Sequence, residues 1–312
     1  MQVHFNIHQL PQFKNAVVTI GTFDGVHKGH QQIIKQMKTE ASAINGETVI
    51  ITFHPHPRTV ITSEQQAIKT LTTLDEKLSL LQQNNIHHVV VVPFTTDFAN
   101  LSAEEYIQDF LVNKFKPHTI IIGYDHKFGK GRQGNYQLLE AMAKANNYGV
   151  KEIPKQLLNE VIVSSTKVRN ALSVGDIATA NNNLGYAYFF SGIVVKGNQL
   201  GRTIGYPTAN IAINEDEKLI PANGVYAVTV TIGNNANTYL GMMNIGVRPT
   251  VAGTNRTIEV HILHFDEDIY GEKLYITLNH KIREEQKFAG LAALKEQLAL
   301  DKDAVVNLLS NR

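Results

Sequence analysis

Four short runs of continuous apolar, β-prone residues, Ala16–Ile20, Val49–Phe53, His88–Val92 and Thr119–Ile122, constrain this 312-residue chain more than any other feature. A strand that reads apolar throughout, with no alternation, is covered on both faces. That is the condition of a parallel sheet sandwiched between helices. The intervals carry helical patterns. Gln31–Lys38 puts Ile33, Ile34 and Met37 on one face. Thr73-Leu-Asp-Glu76 and Ser102-Ala-Glu-Glu105 match the capping box, in which the first and fourth residues satisfy each other's free backbone N–H groups. Asn135–Asn147 reads as a helix stopped by Gly149. The alternation of strand and helix predicts a doubly wound α/β domain.

The period changes near Asn181-Asn-Asn183. From Tyr188 the segments alternate with period two, as in Gly224–Ile232 and Lys273–His280, with turn signals at Asn223-Gly224, Gly233-Asn-Asn235 and Tyr270-Gly271. Short strands at this spacing predict an antiparallel barrel or a sandwich. Leu291, Leu294 and Leu298 at helical spacing predict a closing helix that packs on the sheet. Two domains are therefore expected, 1–182 and 183–312.

Composition limits the classes of partner. The formal net charge is +1, so neither nucleic acid nor an anionic membrane is an expected partner. There is no cysteine, which removes disulfides and thiolate chemistry and fits a reducing compartment. The N-terminal residues carry no secretory pattern, and no run is long enough to span a bilayer, so a cytoplasmic protein is expected. Nothing in the sequence sets an oligomeric state.

Gly21-Thr-Phe-Asp-Gly-Val-His-Lys-Gly-His30 follows the first predicted strand and opens a helix. Ligands of open α/β sheets bind at the carboxyl ends of strands, and a helix N-terminus there offers free N–H groups to phosphate. Gly21, Gly25 and Gly29 allow tight turns. His27 and His30, three apart, share a helical face and can donate hydrogen bonds to phosphate oxygens as charge builds on them. Two surface histidines beside a glycine turn, or a His-ligated metal aided by His54 and His56, are the alternatives. Gly129-Lys-Gly-Arg-Gln-Gly134 matches G-x-G-x-x-G but does not follow the first strand, so it is not read as a dinucleotide fingerprint.

The Gly21–His30 segment resembles the H-x-G-H motif of the Rossmann-like nucleotidylyltransferases. Members of that superfamily share a later Ser/Thr-rich element with a basic residue, and Val163-Ser-Ser-Thr-Lys-Val-Arg169 stands in that place. Ser164, Ser165 and Thr166 can cap a helix and bind phosphate, with Arg169 as counter-charge. In the C-terminal part, Gly201 and Gly205 of Gly201-Arg-Thr-Ile-Gly-Tyr-Pro-Thr-Ala-Asn210 suit a phosphate-covering loop. Thr208 and Asn210 offer oxygen ligands for magnesium. Glu259 and His261 share one face of a predicted strand, where a carboxylate can act as a base.

With Thr52-Phe-His-Pro-His-Pro57, Gly123-Tyr-Asp125, Phe128-Gly129, Gly241–Thr250 and Arg283–Phe288, these motifs resemble, in order and over nearly the whole chain, the bacterial bifunctional riboflavin kinase/FMN adenylyltransferases. The resemblance implies that a C-terminal barrel phosphorylates riboflavin and that the N-terminal domain adenylylates FMN to FAD with release of pyrophosphate. The substrates would be riboflavin, FMN and ATP, with Mg2+. It implies catalytic roles for His27, His30 and Glu259. Nucleotide binding would fall to Gly21, Phe23, Asp24, Gly25, Ser164, Thr166, Arg169, Gly201, Arg202 and Gly205. Flavin binding would fall to Phe53, His56, Pro57, Asp125, Phe128 and Arg283, and the metal to Thr208 and Asn210. The chain departs from the family at His126, where phenylalanine is usual; imidazole is smaller and can carry charge. A kinase with a degraded adenylyltransferase domain, a flavin-binding regulator and a nucleotidylyltransferase for another substrate are the alternatives.

Overall fold

The computed structural model describes residues 1–61, 68–153, 163–197, 199–233, 235, 237–250 and 253–310. Asn234, within one of the expected turn signals, lies outside them. The chain divides into two compact units, Met1–Ser165 and Thr166–Arg312.

Among the described residues the first unit holds a six-stranded sheet of β1 (Gln2–His4), β2 (Val17–Ile20), β3 (Thr48–His54), β4 (His88–Pro93), β5 (Thr119–Gly123) and β6 (Gly149–Ile153). The order is β1-β4-β3-β2-β5-β6, and every neighbouring pair is parallel. The four apolar runs are the four inner strands. The edge strands β1 and β6 were not expected, because an edge strand needs no apolar cover: in β6 only Ile153 is buried.

From β2 the chain winds one way through β3 to β4 and later the other way through β5 to β6. The strand order therefore reverses beside β2, and its carboxyl end is the switch point at which open α/β sheets bind ligands. Helix α1 (Lys28–Ala43) buries Ile34, Met37 and Ala41, and the expected Ile33 is half-buried. Thr73 caps α2 (Leu74–Gln83), and both expected capping boxes are closed. Helix α3 (Tyr136–Asn146) starts at Asn135 as expected but stops on Asn147, at φ 54°, while Gly149 opens β6. Asparagine tolerates the left-handed conformation well enough to end a helix itself.

The second unit is a closed antiparallel barrel, not a sandwich. Its strands are β7 (Phe189–Val195), β8 (Ala209–Ala212), β9 (Gly224–Ile232), β10 (Thr238–Thr250), β11 (Gly253–Ile262) and β12 (Lys273–Arg283), in the order β10-β11-β8-β7-β12-β9. Irregularities in β12 between Leu278 and His280 and between Lys281 and Arg283 bend it against β9, which helps the sheet close. Helices α4 (Ser165–Ser173) and α5 (Ile177–Leu184) pack with this unit. Leu172 O accepts from Ala222 N at 2.9 Å, and the Asn181 amide donates to Leu278 O at 2.9 Å.

The closing helix α6 (Leu291–Leu309) buries Val305 and Leu309 against Ala227, Met242 and Leu263, with Leu298 half-buried beside them. Its packing stripe lies further along than expected. Leu291 is 56% exposed and Leu294 half-buried, whereas Asp301 is buried.

Candidate active sites

The turn after β2 is tightly wound. Phe23 (φ 49°), Gly25 (φ 78°) and Val26 (φ 35°) all take positive φ. Gly25 accepts this freely; a β-branched valine there is strained and must be held by its surroundings. Several contacts hold it. Asp24, 3% exposed, accepts on Oδ1 from the backbone N–H of Leu71 (2.8 Å) and Thr72 (3.2 Å), and Gly25 N–H donates to Thr72 Oγ1. Gly21 N–H donates to Ile51 O of β3.

Beneath the turn lies a buried ammonium. Lys77, on the first turns of α2, donates through Nζ to Thr22 O (3.2 Å), Thr52 Oγ1 (3.1 Å) and Phe53 O (3.3 Å). Thr52 Oγ1 also donates to Thr22 O at 3.0 Å. Burial pushes the Lys77 pKa down to about 8, with the Asp24 carboxylate opposing.

His27 is the N-cap residue of α1, and His30 lies on its first turn. Their rings stack with centroids 3.8 Å apart and planes 19° apart, and the Phe23 ring lies 4.8 Å from His30. A Cβ on Gly29 would come within 3.2 Å of the His27 ring, so the glycine leaves that ring its room. Burial, then the charges of His27 and Lys77, hold the His30 pKa well below the usual imidazole range. His30 Nδ1 is buried with no hydrogen-bond partner among the described residues. A buried donor without an acceptor costs more than a buried acceptor without a donor, so we assign the proton of neutral His30 to Nε2.

Two of the expected flavin residues, Phe53 and Phe128, fall along an aromatic row. Phe53 packs on Phe94 (5.4 Å) and Phe98 (5.6 Å), Phe98 on Tyr106 (5.7 Å), Tyr106 on Phe128 (5.0 Å), and Phe128 lies 5.9 Å from His126. The row starts at the carboxyl end of β3 and reaches the segment after β5. Phe53 and Phe128 are buried members of the core, Asp125 is exposed, and His56 and Pro57 are half-buried. His56 Nδ1 accepts from Arg58 N–H, and Pro57 starts a short helix, Pro57–Ile61, as proline suits a first helical position. Burial pushes the His126 pKa down to about 4, with Asp125 opposing and Arg132 adding to the shift, so the imidazole is neutral near pH 7. The charge allowed for at this position is thus not carried.

The later Ser/Thr element opens α4. Ser165 reaches the turn, donating its hydroxyl to Asp24 O at 3.0 Å. Thr166 and Arg169 follow on the same helix. Gly129 and Gly134, the ends of the G-x-G-x-x-G match, have a packing reason. A Cβ on Gly129 would lie 2.8 Å from Ala103 Cα, and one on Gly134 would collide with the Phe128 ring.

In the barrel, Glu259 of β11 pairs in register with Asn210 of β8, and Thr208 donates its hydroxyl to Glu259 Oε2 at 3.2 Å. A Cβ on Gly197 would lie 2.2 Å from the Asn210 amide, so the chain there makes room for that side chain. His261 Nδ1 lies 2.7 Å from Pro207 O and carries the proton of that bond, because a carbonyl only accepts; burial lowers its pKa. This pins the end of the loop that holds Gly201, Arg202 and Gly205. Gly205 has φ 84°, and Tyr206 N–H closes the loop onto Gly201 O. Arg283 is fully engaged: Nε and Nη2 donate to the Asp301 carboxylate (2.8–3.2 Å) and Nη1 to Glu284 O. Thr208 and Asn210 offer oxygen donors of the hard type that divalent cations take, beside the Glu259 carboxylate.

Sequence reasoning missed Lys77 and Asp301. Lysine at a helix start reads as solvent-facing. Its signal was the i, i+3, i+4 spacing of Lys77, Leu80 and Leu81, which puts it on the buried face.

Comparison with known proteins bears on both halves. The FAD synthetase family matches residues 9–167 and the riboflavin kinase family residues 184–309. A bifunctional riboflavin kinase/FMN adenylyltransferase from Escherichia coli K12 is 38% identical, over 95% of this chain and 93% of its own. One from Listeria monocytogenes is 39% identical, over 92% and 90%. The crystal structure of a macrolide-efflux protein from Streptococcus pneumoniae is similar with a TM-score of 0.88 and 28% identity, over 98% of both chains. Among the described residues no helix is long and apolar enough to cross a membrane.

Proposed function

The chain belongs to the bifunctional riboflavin kinase/FMN adenylyltransferase family, and from that premise we propose which residues carry each reaction. The enzyme phosphorylates riboflavin with ATP to give FMN, and adenylylates FMN with a second ATP to give FAD and pyrophosphate. We assign the first reaction to residues 183–312 and the second to 1–182. One observation supports the assignment of roles: the stacked His27–His30 pair follows β2 of the parallel sheet, whereas Glu259 lies on β11 of the barrel, in register with Asn210.

Adenylyl transfer needs no base, because the FMN phosphate is already anionic. One of its oxygens attacks the α-phosphorus of ATP, and the bond to pyrophosphate breaks. Gly21, Phe23, Asp24 and Gly25 shape the phosphate turn, the α1 N-terminus adds its free N–H groups, and His27 and His30 donate to the α-phosphate oxygens. Ser164, Thr166 and Arg169 bind the polyphosphate. Phe53, His56, Pro57, Asp125 and Phe128 border the flavin.

The kinase starts from a neutral alcohol. Glu259 takes the proton of the ribityl 5′-hydroxyl, whose oxygen attacks the γ-phosphorus as ADP leaves. Gly201, Arg202 and Gly205 cover the phosphates, and Arg283, held by Asp301, lies near the flavin. Kinases and adenylyltransferases that use ATP use a divalent metal. We propose Mg2+, bound by Thr208 and Asn210, which would neutralise phosphate charge. A cytoplasmic enzyme with small-molecule substrates, and no nucleic acid or membrane partner, completes the proposal.

Incubation with riboflavin, ATP and Mg2+, followed by chromatography of the flavins, tests it. FAD is expected. FMN alone would leave only the kinase; unchanged riboflavin would remove the kinase, and the same incubation started from FMN would then decide the adenylyltransferase.

A further inference from the structure

Lys77 is a buried cation that none of the roles above requires. It is 7% exposed, its three acceptors are uncharged, and it forms no ion pair among the described residues. A lysine so placed costs stability, since an ammonium leaves water without the full return of a charged partner. A methionine of similar length would fill the same space and spare the buried charge, at the loss of the three hydrogen bonds. Retaining the charge points to a use.

Its position suggests the use. Thr22 O belongs to the turn that follows β2, and Thr52 Oγ1 and Phe53 O to the carboxyl end of β3. One ammonium therefore joins the end of β2, the strand at the switch point, to the end of its neighbour β3. It fixes both the base of the Gly21–His30 turn and the backbone of Phe53 at the head of the aromatic row. The titratable groups that face it are Asp24 from the turn and His30 from α1, and the charge on Lys77 is felt at His30.

We propose that Lys77 is a positioning residue for adenylyl transfer: its ammonium clamps the carboxyl ends of β2 and β3 and supplies a fixed positive charge beneath the phosphate-binding turn. The proposal rests on the adenylyltransferase reading of the first domain. Lys77 touches neither substrate. It holds the turn in its strained conformation, and its charge adds to the burial that keeps His30 neutral, so that His30 donates from a fixed tautomer. The charge adds to the field that favours a polyanion in a partly dry site. An ammonium titrating near pH 8 is lost within the working range of many enzymes, so the activity it supports should fall on the basic side.

The test uses the full-length chain and two variants, Lys77→Met and Lys77→Arg. FAD formation from FMN and ATP is measured against pH, and FMN formation from riboflavin serves as an internal control. Lys77→Met is expected to lower kcat for FAD formation at least tenfold, with KM for FMN changed less than threefold, and to lose the basic limb near pH 8. Its urea midpoint should stay close to that of the wild type, as relief from burying the charge offsets the three lost hydrogen bonds, and its kinase rate should be unchanged. Lys77→Arg keeps the charge and should move the basic limb to higher pH.

A Lys77→Met enzyme with wild-type kcat and an unchanged basic limb would overturn the proposal. So would a loss of activity matched by a lower urea midpoint. If Lys77→Met does not fold, the position of the basic limb in Lys77→Arg decides: displaced, it supports the proposal, and unmoved, it overturns it. A wild-type protein that makes no FAD from FMN would instead overturn the adenylyltransferase reading, and the proposal with it.

Discussion

The imidazoles of His27 and His30 stack face to face, with centroids 3.8 Å apart and planes 19° apart. Two rings this close cannot both be protonated cheaply, and the charge of His27 lowers the pKa of His30. His30 therefore meets ATP as a neutral imidazole that donates, which suits stabilisation of a phosphate transition state more than delivery of a proton. Replacing both by alanine should lower FAD formation from FMN by about 100-fold to 1,000-fold or more. FMN formation from riboflavin should stay within about twofold of wild type, as the other fold carries it. Chromatography of the two flavin products checks both halves of the expectation.

Glu259→Gln should do the reverse. The amide keeps the size and can still accept from Thr208, but it cannot take the proton of an alcohol. General-base catalysis contributes on the order of 100-fold to 10,000-fold, and a loss in that range is expected in FMN formation. FAD formation from supplied FMN should not change. Steady-state rates with each flavin as the starting substrate measure this.

His126 gives a pH-dependent prediction for stability. The unfolded chain takes up a proton here as pH falls through about 6.5, while the folded imidazole stays neutral down to about 4. Across that window the unfolded state binds more protons, so stability is lost as the pH falls from 6.5 towards 4. His126→Phe removes this loss. Urea midpoints at pH 7 and pH 4.5 should fall less in the variant than in the wild type. An equal fall in both would show that the group is not held neutral.

Much of the fold is legible in the sequence where burial acts on both faces of a strand. The four apolar runs are the inner strands β2 to β5, and the turn after β2 lies at the switch point. Edge strands β1 and β6 left no such mark, since polar residues suffice where a face is open. At the site, Gly25 announced a positive φ, but nothing local marks Phe23 or Val26 for one; tertiary contacts through Asp24 impose it. The Arg283–Asp301 pair joins residues 18 apart on a strand and a helix, a contact no periodicity reports.

That pair should matter to stability. Asp301 is 1% exposed and accepts three hydrogen bonds from Arg283 and one from Gln297. Breaking a buried ion pair by removing one partner costs roughly 3–5 kcal/mol, and the partial exposure of Arg283 lowers this towards about 3 kcal/mol. Asp301→Ala should lower the urea midpoint accordingly and reduce kinase activity more than adenylyltransferase activity.

The central claim is that two separate sites act in sequence on one flavin, and a complementation assay tests it most directly. The His27→Ala/His30→Ala variant and the Glu259→Gln variant are each given riboflavin, ATP and Mg2+, alone and mixed. Neither alone should produce FAD at more than a small fraction of the wild-type rate: the first should stop at FMN and the second at riboflavin. The mixture should produce FAD, as FMN made by one is adenylylated by the other. FAD formed at the wild-type rate by either variant alone, or a mixture that forms none, would contradict the claim.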